Sequence, residues 1–432
     1  MRTPLFLFFC LYSLLLISQN GKIVAGPFAG NHTSKEIKIW FLVKKAQKAH
    51  LSLRSDNQSL IANLNISDYP SFNGLHTIQY QFNNLEPNKT YELEICLDGF
   101  SFEQRYNFHT LSEDSIKDFS FLIGSCLFLA PKILAPFYPG NEDGIIKAMT
   151  KTESDFMVWL GDNVYYPLSV RKAKTMHKIY NQYRRNKAMN DFFKSRPHFA
   201  TWDDHDYGRN NSRSEFELKD SALKIHENYW PNPSYGEAHN KGVYFKFRYY
   251  DAEFILLDGR YHAIRGNSQR SLMGKEQFRW FKRSIENSTA KHIFIINGIQ
   301  ILNRHGRFEA YERLYPEEYE AIMRIINKKQ GAKFTFLSGD RHFSSILSDT
   351  LDDQSIVYDI TCSPLGAPVR PYYTEGEREN PQLLKGSIID FHNYAKISLI
   401  GKGSERGVIV ETYDNQGNSV WKYDTRQHVY LK

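Results

Sequence analysis

The sequence predicts a mixed α/β protein in which a small all-β unit precedes a layered sandwich of two mixed sheets with helices outside. Short alternating strands separated by turn-rich stretches occupy the first quarter of the chain, whereas buried strands alternate with helices after about residue 113. Antiparallel strands close the C-terminus, and this order of elements is typical of layered α/β folds. With 432 residues the chain can bury a large core and form more than one domain.

The first twenty residues have the pattern of a secretory signal peptide. Arg2 gives a positive start, residues 5–17 are almost wholly apolar, and Ser18 begins a polar end. This apolar run is too short to span a bilayer, and no later segment has the length of a transmembrane helix. We therefore expect residues 1–20 to be removed and the mature protein to be secreted or periplasmic.

Composition excludes several classes of protein. Hydrophobic residues make up 41% of the chain, charged residues 24% and aromatic residues 15%, as in a folded globular protein rather than a disordered one. The net charge of +7 comes from interspersed acidic and basic residues without a long basic block. We expect an ordinary solvated surface and no stable nucleic acid partner.

Removing the signal peptide leaves three of the four cysteines. An odd number in an exported protein leaves at least one thiol unpaired or otherwise engaged. A disulfide between Cys96 and Cys362 with Cys126 free is one arrangement, which the sequence does not establish. A small buried side chain is the alternative role for Cys126.

Residues 22–112 are predicted to form a small β-sandwich, and residues 112–117 read as a polar linker. The segment 84–91, Asn-Leu-Glu-Pro-Asn-Lys-Thr-Tyr, resembles the turn before a late strand in fibronectin type III domains. The alternating strands of this unit are predicted at 36–43, 77–82 and 90–97.

The second unit, residues 113–432, contains alternating strands and helices without an internal repeat. Its predicted strands are 119–123, 156–160, 198–202, 242–250, 253–257, 292–296, 333–337, 395–400, 407–413 and 419–423. Its predicted helices are 143–151, 170–193, 214–229, 274–285 and 315–328.

Five apolar runs of this unit end in residues that can bind metal ions. Because strands deliver their last residues to one edge of an open α/β sheet, these side chains are expected to meet there. The five segments are Gly124-Ser125-Cys126, Gly161-Asp162-Asn163-Val164-Tyr165, Trp202-Asp203-Asp204-His205-Asp206, Leu257-Asp258-Gly259-Arg260 and Ser338-Gly339-Asp340-Arg341-His342.

The ligand types indicate more than one metal. Asp162 can bridge two cations through its two oxygens, and Tyr165 as phenolate suits a ferric ion. A thiolate at Cys126 is a soft ligand, so with the phenolate it favours Fe³⁺ or Zn²⁺ over Mg²⁺. Oxygen donors at Asp204 and on the loop 206–211 suit calcium or magnesium.

The last segment adds further ligands and cations. Asp340 and His342 are two residues apart, so both can face the site if the backbone stays extended. Arg341 and Arg260 are candidate anion clamps, with a structural salt bridge as the alternative role of each. Such a set serves a two-metal phosphoester hydrolase, in which the metals activate a water and neutralise charge on the transition state.

These motifs resemble the alkaline phosphatase D family, or PhoD-like phosphatases, within the calcineurin-like and purple acid phosphatase superfamily. The resemblance covers nearly the whole mature chain. The matching pieces are Gly124-Ser125-Cys126, Gly161-Asp162 with Tyr165, Trp202-Asp203-Asp204-His205, Leu257-Asp258-Gly259-Arg260-Tyr261-His262, Leu272-Met273-Gly274 with Gln277 and Trp280, and Gly339-Asp340-Arg341-His342.

The resemblance implies a four-layer αββα catalytic domain and two kinds of ion. It implies Fe³⁺ and Ca²⁺, with Zn²⁺, Mg²⁺ and Mn²⁺ as alternatives. His342 would also bind a metal, and His205 would protonate the leaving group or stabilise the transition state. Gly259 departs from the family, which commonly has a hydroxyl residue there. The implied iron ligands are Cys126, Asp162 and Tyr165, and the implied calcium ligands are Asp162, Asp204, Asn210 and Asp340.

We therefore expect an exported phosphodiesterase or phosphomonoesterase acting on a nucleotide, phospholipid or wall polymer. The resemblance does not carry a substrate over, because the family acts on monoesters and diesters, including teichoic acids and phospholipids. A second hypothesis is a catalytically degenerate surface protein that binds glycan or wall polymer on the same scaffold. A third is an esterase for sugar phosphates or nucleotides, in which tyrosines of residues 165–183 stack on a base; such tyrosines more often pack a core.

Overall fold

The computed structural model describes residues 21–101, 106–113, 116–129, 142–167, 170–266, 270–306 and 308–431. The predicted signal peptide, residues 1–20, lies outside them. No helix in these ranges is long and apolar enough to cross a membrane.

Among the described residues, nine strands form the N-terminal sandwich. One antiparallel sheet has the order β1-β2-β6-β5, and the other has the order β4-β3-β7-β8, with β9 also paired to β7. The strands are β1 (Lys22–Gly30), β2 (Ile37–Lys44), β3 (Lys48–Arg54), β4 (Ser59–Asn65), β5 (Ser71–Phe72), β6 (Leu75–Phe82), β7 (Thr90–Leu97), β8 (Phe100–Ser101) and β9 (Tyr106–His109).

A buried tyrosine fixes the turn that enters β7. Tyr91 is the second residue of that strand, and its hydroxyl accepts a hydrogen bond from the backbone N–H of Glu86 at 2.9 Å. The same hydroxyl donates to the side chain of Gln58. A tyrosine that bonds back to the preceding turn is a hallmark of immunoglobulin-like sandwiches. Together with the two antiparallel sheets, it confirms the predicted fibronectin type III-like domain.

The second unit contains fifteen strands and eight helices among the residues described. The strands are β10 (Phe119–Gly124), β11 (Phe156–Leu160), β12 (His198–Thr201), β13 (Phe245–Tyr249), β14 (Ala252–Leu256), β15 (Ile264–Arg265), β16 (Arg270–Ser271), β17 (His292–Asn297), β18 (Lys333–Ser338), β19 (Ser345–Thr350), β20 (Ile356–Thr361), β21 (Asn393–Ile400), β22 (Gly407–Asp414), β23 (Ser419–Asp424) and β24 (Val429–Leu431). The helices are α1 (Glu142–Lys151), α2 (Ala173–Arg185), α3 (Lys187–Ser195), α4 (Asp204–Tyr207), α5 (Lys219–Tyr229), α6 (Gly274–Asn287), α7 (Tyr311–Leu314) and α8 (Pro316–Lys328).

Two mixed sheets face each other in this unit. Their orders are β12-β11-β10-β21-β22-β23-β24 and β13-β14-β17-β18-β20-β19. Between them, Phe121 stacks on Phe156 at 5.0 Å and meets the edge of Phe254 at 5.1 Å. Helices α1, α2, α3 and α5 cover the outer face of the first sheet, and α6 and α8 cover that of the second. The predicted four-layer αββα sandwich is confirmed.

A buried arginine on α2 joins the two units. The guanidinium carbon of Arg184 lies 5.5 Å from the ring of Phe28 and 5.7 Å from that of Trp40, both in the sandwich. It also lies 4.2 Å from the ring of Phe193 and 4.1 Å from that of Trp230. Burial lowers the pKa of Arg184 to about 10, so the side chain stays charged at neutral pH. The aromatic faces therefore stabilise this cation in place of a carboxylate.

Three details differ from the sequence predictions or extend them. The helix predicted at 170–193 is two helices, because Asn186 has an extended backbone and its side chain caps α3 by accepting from Met189 N at 3.0 Å. In the second unit, strands β15, β16, β19, β20 and β24 and helices α4 and α7 were not predicted. Cys96 and Cys362 form no disulfide with each other, since Cys96 lies on β7 and Cys362 lies in the core between the large sheets.

Candidate metal centre

The carboxyl ends of parallel strands in both large sheets open onto one cleft. Strands β10, β11 and β12 are parallel neighbours in the first sheet, as are β14, β17 and β18 in the second. The residues that follow β11, β12 and β18 line a cleft of about 520 Å³. Its lining comprises Asp162, His205, Asn210, Asn211, Arg265, Phe308, Glu309, Arg313, Asp340, Arg341, His342, Tyr372 and Tyr373.

Asp162 is the residue that links the donors of this cleft. Its Oδ2 accepts from the Tyr165 hydroxyl at 3.0 Å and from the Cys126 thiol at 3.5 Å. Its Oδ1 accepts from the backbone N–H of His205 at 3.1 Å. The two carboxylate oxygens thus point to different sets of neighbours, as a bridging ligand requires.

Two groups of metal-ligating atoms share Asp162. Cys126, Asp162 and His342 form one group, and Asp162, Asp204 and His205 form the other; within each group the atoms lie within 4.8 Å of one another. The Tyr165 hydroxyl lies 3.4 Å from Nε2 of His342, which places the phenol beside the first group. Two adjacent ions sharing one carboxylate are typical of two-metal hydrolases.

Burial and mutual repulsion raise the pKa values of the acids in this centre. Burial, and then the charges of Asp204 and Asp203, raise the pKa of Asp162 well above its usual range. Burial and the charge of Asp204 raise the pKa of Asp340 to about 7. The Cys126 thiol pKa is also raised, first by burial and then by Asp162. Cations would relieve this repulsion and favour the ionised ligands.

Asp204 is the exception among these acids. Burial acts to raise its pKa, but the neighbouring His205 and Arg260, together with the hydrogen bond from Asn211, outweigh burial and lower it. Its Oδ2 accepts from the backbone N–H of Asn211 at 2.5 Å, whereas its Oδ1 is buried without a hydrogen-bond partner. A buried carboxylate oxygen without a donor is costly, and a cation would satisfy it. The donor set therefore fits metal ions.

Both histidines of the cleft favour the neutral form. Burial lowers the pKa of His205, whose ring stacks on Tyr165 with centroids 4.2 Å apart. Burial also lowers the pKa of His342, to about 4. Nδ1 of His342 lies 2.9 Å from the carbonyl oxygen of Pro368, and donation of this N–H leaves Nε2 with a free lone pair. Neutral imidazole is the form that binds metals.

Left-handed backbone conformations position four of the candidate ligands. The φ angles are 55° at Cys126, 54° at Asp162, 68° at Asp340 and 56° at His342. The backbone does not stay extended after β18, yet Asp340 and His342 both line the cleft. Such conformations cost on the order of 1–3 kcal/mol each and cluster at functional sites.

The two candidate anion clamps lie in different surroundings. Arg260 does not line the cleft: its Nε donates to Asp203 at 2.6 Å and its Nη2 to Glu309 at 3.0 Å. Arg341 lines the cleft and pairs through Nη2 with Glu377, and its Nε is buried without a partner. Asn210 lines the cleft and is exposed.

The sequence pattern of the PhoD-like phosphatases matches residues 138–387, more than half of the chain. The chain belongs to the PhoD-like phosphatase family. A search among curated proteins finds no match. Membership makes the protein a phosphate-ester hydrolase and implies metal cofactors, for which the two donor groups sharing Asp162 supply ligands.

Two solved structures share the fold of this PhoD-like phosphatase. A structure of PhoD is 17% identical and covers 92% of this chain and 92% of its own, with a TM-score of 0.72. Purple acid phosphatase PPD1 from yellow lupin seeds is 12% identical and covers 91% of this chain and 72% of its own, with a TM-score of 0.64. At these identities the likeness concerns the fold.

The family departure at Gly259 has a visible local effect. A Cβ atom at this position would lie 2.9 Å from Oδ1 of Asn297. That oxygen is buried and has no hydrogen-bond partner. A side chain at position 259 would therefore require the amide of Asn297 to move.

Sequence reasoning missed much of the cleft wall of this PhoD-like phosphatase. Arg265, Arg313 and the pair Tyr372 and Tyr373 line the cleft from three segments that carry no recognisable motif. The sequence interpretation also counted Asp206 among the oxygen donors. Its two oxygens accept from the backbone N–H groups of Asn163 at 2.9 Å and Asp203 at 3.0 Å, so it caps α4. A one-turn helix that begins within the Asp-Asp-His run, α4, was the missing element.

Proposed function

We propose that this PhoD-like phosphatase hydrolyses phosphodiesters at a two-metal centre built around Asp162. The supporting observation is that two groups of ligating atoms share this one carboxylate. The cleft of about 520 Å³ extends past the donors to Tyr372 and Arg313, which leaves room for a second ester substituent. Phosphomonoesters are expected to be slower substrates of the same site.

A ferric ion and a calcium ion are the proposed cofactors. Metal ions at such a centre supply a nucleophile from water near neutral pH and neutralise charge on the phosphoryl oxygens. His342 is proposed as a further ligand through Nε2, because its Nδ1 lies against Pro368. The proposed iron ligands are Cys126, Asp162 and Tyr165, and the proposed calcium ligands are Asp162, Asp204, Asn210 and Asp340.

Three further residues have proposed roles at the substrate. His205, neutral and stacked on Tyr165, donates a hydrogen bond to the leaving oxygen. Arg341 lines the cleft and binds a non-bridging oxygen. Arg260 is reassigned from anion clamp to a positioning residue, because its pairs with Asp203 and Glu309 tie the ends of three segments together.

The first experiment compares a matched aryl phosphate monoester and diester, with and without a strong chelator. We expect turnover that favours the diester and is lost on chelation. Turnover that favours the monoester would contradict the proposed specificity and indicate phosphate scavenging. No turnover of either ester by metal-replete protein would favour a degenerate binding protein on this scaffold.

Tyr165→Phe tests the assignment of iron. The phenol is a strong ligand for a ferric ion, whereas oxygen ligands dominate calcium sites. We expect the variant to lose iron and retain calcium, measured by elemental analysis of purified protein. An unchanged iron content would remove Tyr165 from the ligand set. Tyr372→Phe, which removes an exposed hydroxyl from the cleft rim, is the matched control and should keep both metals.

Export is proposed on the pattern of residues 1–20, which lie outside the described residues. The apolar run 5–17 followed by Ser18 supports a cleaved signal peptide. Secreted or periplasmic location therefore remains a prediction from the sequence.

A further inference from the structure

Three arginines from separate segments form one side of the catalytic cleft. Arg265 lies on β15, Arg313 lies on α7, and Arg341 follows β18. All three line the cleft that also contains Asp162 and Asp340. We refer to Arg265, Arg313 and Arg341 as the arginine wall.

Arg341 is held rigidly at the base of this wall. Its side chain is fully buried, and it pairs through Nη2 with Glu377. Its Nη1 donates to the carbonyl oxygen of Glu309 at 3.3 Å, while its Nε has no partner. A buried guanidinium N–H without a partner costs free energy, so a hydrogen-bond acceptor beside it would be stabilising.

Among the described residues, two carboxylates near the wall, Glu309 and Glu377, face four arginines, so positive charge is in excess. Glu309 lies 3.0 Å from Nη2 of the buried Arg260 and 3.9 Å from Nη1 of Arg265. Glu377 pairs with Arg341. Burial, followed by the charges of Arg341 and Arg265, lowers the pKa of Arg313, and the charges of Glu309 and Glu377 act in the opposite direction. An anion between the arginines would offset their mutual repulsion.

Aromatic rings connect the wall to the candidate metal ligands. The ring of Tyr373 meets the edge of His342 at 5.2 Å and that of Phe308 at 5.5 Å. The guanidinium carbon of Arg341 lies 5.5 Å from the ring of Phe308. The rings thus hold the basic side of the cleft next to the acidic side, where the scissile phosphate would bind.

We propose that Arg265 and Arg313 of the arginine wall bind a second phosphate group of the substrate, carried on the ester beyond the scissile phosphate that Arg341 contacts. This inference rests on the proposed function and assigns Arg265 and Arg313 as specificity-determining residues. The preferred substrate is therefore a phosphodiester that bears a further phosphate, rather than an isolated diester. Guanidinium groups bind phosphate oxygens in a bidentate manner, so the wall would also orient the ester.

The test uses two chromogenic diesters that differ in one group. Thymidine 5′-(4-nitrophenyl phosphate) has one phosphate, and the matched compound carries an additional 3′-phosphate. For the unaltered metal-replete protein, kcat/KM is expected to be about tenfold higher for the compound with the 3′-phosphate, a factor that corresponds to about 1.4 kcal/mol. Raising the salt concentration should reduce this preference.

Arg265→Gln and Arg313→Gln should each raise KM for the 3′-phosphorylated compound by about tenfold and leave kinetics on the plain diester within about twofold. Arg324→Gln, an exposed position on α8 outside the cleft, is the matched control and should change neither. Equal effects on both compounds, or no preference in the unaltered protein, would overturn the inference while the proposed function stands. Release of nitrophenol from neither compound would overturn both.

Discussion

Asp162→Asn is expected to lower kcat/KM for an aryl phosphodiester by on the order of 1,000-fold or more, without unfolding the protein. Asp162 is the one residue common to both groups of ligating atoms, so an amide there weakens both metal sites at once. Its buried carboxyl also repels Asp204 and Asp203, which raises its pKa. Removing that charge should leave the metal-free protein at least as stable as before.

The control for this variant is Asp359→Asn, another buried aspartate outside the cleft. Asp359 accepts from the backbone N–H groups of Ile301 at 2.7 Å and Leu302 at 2.8 Å, and from the Ser338 hydroxyl at 2.7 Å. Its replacement should cost about 1–3 kcal/mol of stability but leave metal content unchanged. Asp162→Asn should show the reverse pattern in melting and elemental analysis. Full activity of Asp162→Asn would refute the assignment of the centre.

Removing the metals should make the stability of the protein fall as pH rises from about 7 to 8.5. Asp340, with a folded-state pKa of about 7, loses the rest of its proton in this range, and burial also raises the pKa of Asp162 well above its usual range, whereas the unfolded chain has already lost both protons. Folding therefore becomes less favourable with rising pH, by up to about 1.4 kcal/mol per pH unit for each carboxyl that stays protonated. Bound cations replace these protons, so the loaded protein should not show this loss.

The pH range chosen for this prediction depends on the histidines as well as on the acids. His342, with a folded-state pKa of about 4, and His205 contribute the opposite trend, which is nearly complete above their unfolded pKa of about 6.5. Burial raises the pKa of Asp206 to about 8. Asp206 titrates in the stripped and in the metal-loaded protein, so its contribution to stability cancels when the two are compared. The measurement is the melting temperature of stripped and metal-loaded protein at pH 7 and 8.5. Equal pH dependence in the two forms would contradict the prediction.

The sequence predicted the layers of the fold because strong local patterns set them. Apolar runs such as the one ending at Leu160 are buried on both faces, so burial alone identifies them as central strands. Ligands that directly follow such strands, among them Asp162 and Asp340, were found for the same reason. Strand β19, with three buried residues followed by Ser348, Asp349 and Thr350, lacks such a pattern and was missed.

Side-chain partners could not be predicted, because they depend on contacts between distant segments. Arg260 looked like an anion clamp from its position after β14, and only the fold brings Asp203 and Glu309 against it. The positive φ angles at Asp340 and His342 likewise depend on packing after β18 rather than on residue type. Arg313 lies on a short helix without a sequence motif, and only the tertiary fold places it at the cleft.

The enclosure of Arg184 has a consequence for how the protein can be divided. Trp40 donates its indole N–H to the carbonyl oxygen of Asn228 at 2.8 Å, and Phe28 stacks on Phe193 at 4.8 Å, so both units supply parts of one interior. Separating the two units would expose these rings to solvent. It would also leave the Arg184 guanidinium with only part of the aromatic rings that surround it. The sandwich and the catalytic unit should therefore melt in a single cooperative transition, and neither should be transferable to another protein by itself.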